Sequence, residues 1–309
     1  MKQTITRPFG NGQSESTIWQ HPDGLLIGYG LSRTDRHESV SARSSMQDWV
    51  QLHFGTRGDY RFTHKQLGKT YDLIGGHHNL MYSPEFELEV YNKTLEIETF
   101  GVNFTKEAFL RYAQHGTDAL KIFCEKVAAG QSVILTEHWG AIDTPIQQTL
   151  QEILHEGFTG QIEEHFLLSK ALDLLVMSVE ACAQAEYRAT QDEAFLRSKT
   201  DKEKIIAARD FINQRLHEPP NLSEVSKQVG LNEYKLKRGF KETFGNTLFG
   251  YLTQQRLQWA YHQIIDSQYF AADIAERLGY ATPQHFNNAF KKKFGLTPMN
   301  LKKSRKRNP

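Results

Sequence analysis

One spacing pattern occurs twice in the last third of the chain. Gly230-Leu231, Leu236, Phe240, Phe244-Gly245 and Thr247 recur as Gly279-Tyr280, Phe286, Phe290, Phe294-Gly295 and Thr297. The offset is 49 residues at the leading glycine and 50 from Phe286 onward, so the second turn holds one extra residue. Aromatic residues four apart, bracketed by glycines, describe a helix with one buried stripe that is entered from a tight turn and stopped by another. A shorter apolar-periodic run precedes each leading glycine. Each copy therefore reads as helix, turn, helix. A chain with two such units is constrained to an all-α C-terminal domain, and two units of this kind can place two recognition helices on one face of DNA.

Local signals set the boundaries. A first helix is predicted over Lys202 to Leu216 and is stopped by Pro219-Pro220. Asn221 offers an N-cap oxygen with Glu224 three residues on, a form of the capping box. Leu222 to Val229 is the short helix of the first unit, Gly230 supplies the turn, and Asn232 caps a recognition helix over Glu233 to Phe244. Leu236, Phe240 and Phe244 face inward, leaving Tyr234, Lys235, Lys237, Arg238 and Lys241 on the other sides. In the second unit Ala271 to Leu278 is the support helix and Gly279 the turn. Thr282 caps and Pro283 opens a helix that runs to Phe294. Its outer residues are Gln284, His285, Asn287, Asn288 and Lys291.

Phe249 to Ile265 connects the units as one helix of about 25 Å, at about 1.5 Å per residue. With the helix bodies added, that length suits successive major grooves about 34 Å apart. Arg238 suits a guanine edge and the amides suit adenine. Lys241, Lys291 to Lys293 and Lys302-Lys303 suit phosphates. The tail from Lys302 to Pro309 is expected to be disordered.

Charge separates the chain in the same place. From Lys199 onward there are 20 Lys and Arg against 10 Asp and Glu, leaving 17 against 26 in the first 198 residues. The net charge of +1 conceals a basic C-terminal part that suits a polyanion and an acidic N-terminal part. Two domains are predicted, 1–198 for effector sensing and dimerisation and 199–309 for DNA binding. Gln184 to Asp201 is polar and reads as the hinge. Cys124 and Cys182 have no metal-ligand or disulfide spacing, which fits reduced thiols and a cytoplasmic compartment. The opening residues lack the apolar core of a signal peptide, and Ala171 to Cys182 is too short and polar to span a bilayer.

The N-terminal part changes period near Phe104. Leu25 to Tyr29, Trp49 to Phe54, Phe86 to Tyr91 and Leu95 to Val102 read as short strands. Gly55 to Gly58 and Gly75-Gly76 read as turns. Helical runs follow after Thr105, over Thr117 to Ala129, Ile146 to Gly157 and Gln161 to Tyr187. An α+β domain is expected, with a small cupin-like β-barrel and packed helices, and a cavity inside the barrel would be a natural effector site. The long last helix suits either packing on the barrel or a dimer interface. His77 and His78 cannot both ligate one ion from an extended segment, and His21, His37, His53 and His64 are scattered. No catalytic triad, phosphate loop, dinucleotide glycine motif or metal set is present, so no catalytic, metal or cofactor residues are assigned. A cupin-type metal enzyme with an appended DNA-binding domain, and a ligand-independent DNA binder, are the competing classes.

Residues 202 to 303 resemble the DNA-binding domain of AraC/XylS-family transcriptional regulators. Gly230, Leu236, Arg238, Phe240-Lys241, Gly245, Tyr251, Arg256-Leu257 and Ala260 carry the first half of the resemblance. Ile274-Ala275, Gly279-Tyr280, Phe286, Phe290-Lys291, Gly295 and Thr297-Pro298 carry the second. The resemblance implies base reading by Tyr234, Lys235, Lys237 and Arg238, then by Gln284, His285, Asn287 and Asn288. It also implies activation through RNA polymerase, while a homodimer is expected through the N-terminal domain. Asn288 stands where the family often has a basic residue, so operator preference does not transfer. The stretch Gly230 to Lys241, with Phe249 to Leu252, is similar to the subgroup that includes the pyochelin and yersiniabactin regulators, which implies a ferric siderophore as effector.

Overall fold

The computed structural model describes residues 2–43, 48–113, 118–154, 158–190, 199–266 and 269–307. The chain divides into two compact units, Met1–Ala194 and Phe195–Pro309.

The first unit runs β1 (Lys2–Phe9), β2 (Gly12–His21), β3 (Leu25–Arg33), β4 (Ser39–Arg43), β5 (Trp49–Arg57), β6 (Asp59–His64), β7 (Lys69–Ile74), β8 (His77–Ser83), β9 (Glu87–Asn92) and β10 (Glu96–Thr105). It continues with α1 (Lys106–Ala113), α2 (Asp118–Ala128), the two-residue strands β11 (Val133–Ile134) and β12 (Gly140–Ala141), α3 (Thr144–Leu154) and α4 (Gln161–Thr190). The strands form two antiparallel sheets. The larger has the order β1-β2-β3-β10-β5-β8-β11, with β12 also on β8, and the smaller the order β4-β9-β6-β7. The expected α+β unit is present, but its strands do not close into a barrel. The chain leaves the larger sheet at the β5–β6 corner, where Gly58 adopts φ +88°. Strands of five or six residues in the smaller sheet are too short to run on through both.

Alternation along the strands builds two cores. Val50, Leu52, Phe54, Leu80, Tyr82, Val102 and Phe104 face the helices and pack with Phe109, Phe123, Ile146, Leu150 and Leu174. Met81 faces the other way and joins Tyr60, Phe62, Leu73, Phe86 and Ile97 between the sheets. Aromatic side chains therefore fill the space in which a barrel cavity was expected.

β1 and β2 lie ahead of the first strand expected from the sequence. β1 is exposed at six of its eight positions and carries no apolar alternation, so its ladder to β2, from Lys2↔Trp19 to Phe9↔Gly12, is what holds it. Gly55 was expected in a turn and lies inside β5. A Cβ there would stand 2.6 Å from the Tyr60 hydroxyl, so the glycine makes room for a ring packed across from it.

The second unit comprises α5 (Lys199–Asn213), α6 (Leu222–Val229), α7 (Glu233–Phe244), α8 (Leu248–Asp266), α9 (Ala271–Arg277), α10 (Pro283–Phe294) and α11 (Pro298–Arg307). α11 replaces the disordered tail expected from Lys302. Buried Leu301 seats it on the core shared by α8, α9 and α10, a contact that charge composition cannot reveal. Of the expected hinge, Gln184–Thr190 continues α4, Lys199–Asp201 opens α5, and 191–198 lie outside the described residues.

Candidate nucleic-acid interface

The two helix pairs are closed by the predicted caps. The Asn221 side chain accepts from the Glu224 amide at 3.0 Å and the Glu224 carboxylate accepts from the Asn221 amide at 3.1 Å. Asn232 accepts from the Lys235 amide at 2.7 Å and Thr282 from the His285 amide at 3.2 Å, fixing where α7 and α10 begin. Gly230 and Gly279 adopt φ +62° and +63° in the inter-helix turns, a left-handed conformation that a Cβ disfavours.

The repeat is visible in the packing. Phe240 and Phe244 lie 4.6 Å apart between ring centroids in α7, and Phe290 and Phe294 lie 4.6 Å apart in α10. α8 serves both units. Its Tyr251 stands 5.5 Å from Phe240 and its Tyr261 4.9 Å from Phe294. At 19 residues α8 is about 28 Å long. Leu236, Phe240, Phe286 and Phe290 are fully buried, so the opposite faces of α7 and α10 are fixed with them.

On α7 those faces expose Tyr234, Lys237, Arg238 and Lys241, with Tyr234 65% accessible. The Arg238 guanidinium donates to the Tyr234 hydroxyl at 3.1 Å, so the two side chains form one patch a turn apart. Lys235 is partly buried and pairs with Asp201 of α5 at 2.6 Å. α5 holds this unit at two further points. Lys204 donates to the Gly230 carbonyl at 3.0 Å, and Arg209, 6% exposed, lies 5.6 Å from the Phe244 ring centroid. On α10, Gln284, His285, Asn288 and Lys291 are exposed. Asn287 is half-buried, and its Oδ1 is buried with no hydrogen-bond partner among the described residues.

Lys293 departs from the sequence reading, which grouped it with Lys291 and Lys292 as a phosphate contact. It turns inward and donates to the Gln254 carbonyl of α8 at 2.7 Å, and burial lowers its ammonium to about 7. Three consecutive residues span most of a helix circumference, so they cannot all face DNA. Lys302 likewise donates to the Tyr269 carbonyl at 3.0 Å. Arg256 belongs to the family pattern of the first half. It lies half-buried 5.5 Å from the Tyr280 ring centroid, and burial lowers its pKa.

In the first unit burial holds three histidines neutral. Burial lowers His53 and His64 to about 4 and His78 to about 3. His78 Nδ1 stands 3.8 Å from the Cys182 sulfur, and burial raises that thiol to about 11, so the pair is neutral and unreactive. Among the described residues no group of three or more His, Cys, Asp or Glu could hold a metal ion.

Residues 225–304 match the helix-turn-helix domain family, and residues 23–195, more than half of the chain, match the family "Regulatory protein PchR N-terminal domain". The chain belongs to the AraC/XylS family of transcriptional regulators. It is a DNA-binding regulator with an effector-type N-terminal domain related to that of PchR. The regulatory protein PchR of Pseudomonas aeruginosa is 35% identical over 109 residues, which are 35% of this chain and 36% of PchR, so the alignment spans about a third of that relative. The regulatory protein SoxS of Escherichia coli K12 is 32% identical over 88 residues, 28% of this chain and 82% of SoxS. The fatty-acid-bound ToxT of Vibrio cholerae superposes with a TM-score of 0.35 at 13% identity, over 92% of this chain and 96% of that one. Among the described residues no helix of this regulator is long and apolar enough to cross a membrane.

Proposed function

We propose that this AraC/XylS-family regulator activates transcription from operators read by both recognition helices. A small effector, bound by the N-terminal unit, controls that binding. Tyr234, Lys235, Lys237 and Arg238 read one major groove, and Gln284, His285, Asn287 and Asn288 the next. Lys241 and Lys291 meet phosphates. The effector is a ferric siderophore, the class implied by the resemblance to the pyochelin and yersiniabactin regulators. The active form is a homodimer whose DNA-bound state contacts RNA polymerase. The observation that carries this reading is the PchR-type regulatory domain over residues 23–195, followed in one chain by the helix-turn-helix family over 225–304.

The test is a titration of the full chain with a panel of ferric siderophores, followed by calorimetry and by DNA affinity. Saturable binding of one ferric complex, with a changed affinity for operator DNA, supports the proposal. Unchanged melting temperature and DNA affinity across the panel would count against a siderophore effector.

A further inference from the structure

Between the two sheets of the N-terminal unit, six side chains form a box. His53 comes from β5, Tyr60, Phe62 and His64 from β6, Tyr71 from β7, and Trp139 from the connection between β11 and β12. Phe62 and Tyr71 are direct partners across the β6–β7 ladder and stack 6.2 Å apart. Trp139 lies edge-on to Tyr71 at 5.6 Å, to His53 at 6.1 Å and to Phe62 at 6.2 Å. His53 Nε2 and the Tyr60 hydroxyl are 2.7 Å apart and satisfy each other.

Three other polar atoms of the box are not satisfied. Trp139 Nε1, the Tyr71 hydroxyl and His64 Nε2 are buried with no hydrogen-bond partner among the described residues. The His64 tautomer follows from geometry, because its Nδ1 accepts from the Leu67 amide at 3.3 Å. In the neutral ring Nε2 must then carry the proton. All three orphaned groups are therefore hydrogen-bond donors, and each lies among aromatic faces. A buried donor without an acceptor costs free energy, and three in one box is more than packing alone explains.

The connection that carries Trp139 is held on both sides. Glu137 pairs with Lys69 beside Tyr71 in the smaller sheet. The His138 ring donates through Nδ1 to the Glu186 carboxylate at 3.1 Å, and the His138 amide donates to the same oxygen at 3.1 Å. Glu186 lies in the last turns of α4, the final element of this unit. Trp139 is therefore the sequence neighbour of a residue hydrogen-bonded to that end of α4.

We infer that this box is the effector site, and that its occupant is a planar aromatic ligand bearing two or more oxygen or nitrogen acceptors. The Trp139 indole shifts to admit the ligand's ring against Phe62 and Tyr71, and the ligand's acceptors take the orphaned donors, Trp139 Nε1 among them. The inference rests on the reading that the N-terminal unit binds an effector, and it names the residues and the ligand chemistry. A ferric siderophore built on a phenolate ring meets the description, and so does a simpler hydroxyaromatic acid.

The experiment titrates the full chain with ferric pyochelin and, separately, with salicylate by calorimetry. It compares wild type with Tyr71→Phe, Trp139→Phe and the outward-facing control Tyr91→Phe. Tyr71→Phe and Trp139→Phe are expected to weaken binding at least five-fold and Tyr91→Phe to leave it unchanged. Tyr71→Phe removes an unpaired hydroxyl, so the melting temperature of the free protein should stay level or rise while binding falls. A residue with a merely structural role would show the opposite coupling. Wild-type binding that both box variants retain overturns the site, as does the absence of binding by either probe. Binding of salicylate alone, lost in the box variants, upholds the site and removes the siderophore reading.

Discussion

At the residue scale, Arg238 and the fully buried phenylalanines illustrate two kinds of legibility. Phe240 and Phe290 announce themselves by their spacing, because a stripe four residues apart can only be buried on one side of a helix. The outward residues follow by elimination, and the exposure of Tyr234, Lys237, Arg238, Gln284, His285 and Asn288 agrees with that deduction. Lys293 was not legible. Its inward turn depends on where the Gln254 carbonyl of α8 lies, which no local pattern encodes. Arg238→Ala is expected to cost about 1–3 kcal/mol on operator DNA and to relax specificity at one base position. Equal loss on operator and random DNA would mark a phosphate contact instead. α7 presents cations and α10 mainly amides, so alanine changes in Lys237 and Arg238 should weaken binding more than changes in Gln284 and Asn288. Competition binding at fixed salt decides between the orders.

At the scale of elements, α5 does more than precede the first unit. Its Asp201 occupies Lys235, one of the side chains assigned to base reading, and its Lys204 ties down the turn at Gly230. Replacing Asp201 with Asn releases Lys235. The expected result is tighter binding to DNA and a salt dependence steeper by about one counterion. Unchanged affinity and slope would show that Lys235 never reaches DNA. The sequence makes α5 visible through its apolar face but hides the ion pair, since Asp201 and Lys235 lie 34 residues apart with two turns between them. β1 and α11 were hidden for the converse reason. Both are polar in composition and owe their form to a partner, β2 in one case and the α8–α10 core in the other.

At the scale of the whole molecule, the N-terminal unit should be acid-sensitive. His53, His64 and His78 sit near 4, 4 and 3 in the folded chain against an ordinary 6.5. A lowered folded value means that the unfolded chain takes up protons first as pH falls. Stability is therefore complete above about 6.5 and declines as pH drops from there toward 4. Urea unfolding of the full chain at a series of pH values should show uptake of about three protons on unfolding of this unit across that window. A flat dependence between pH 6.5 and 5 would show that these rings are protonated in the folded state.

On the proposed function the repeated units read two successive major grooves on one face of DNA. Footprinting of the full chain on operator DNA isolated by selection, with a major-groove methylation probe, tests it most directly. Two protected windows about 10–10.5 base pairs apart are expected for each protomer of the homodimer, with Arg238→Ala losing protection in one window of the pair and Gln284→Ala combined with Asn288→Ala losing it in the other. A single window per protomer, or loss of both windows from either variant set, would show that the two helices do not read separate grooves.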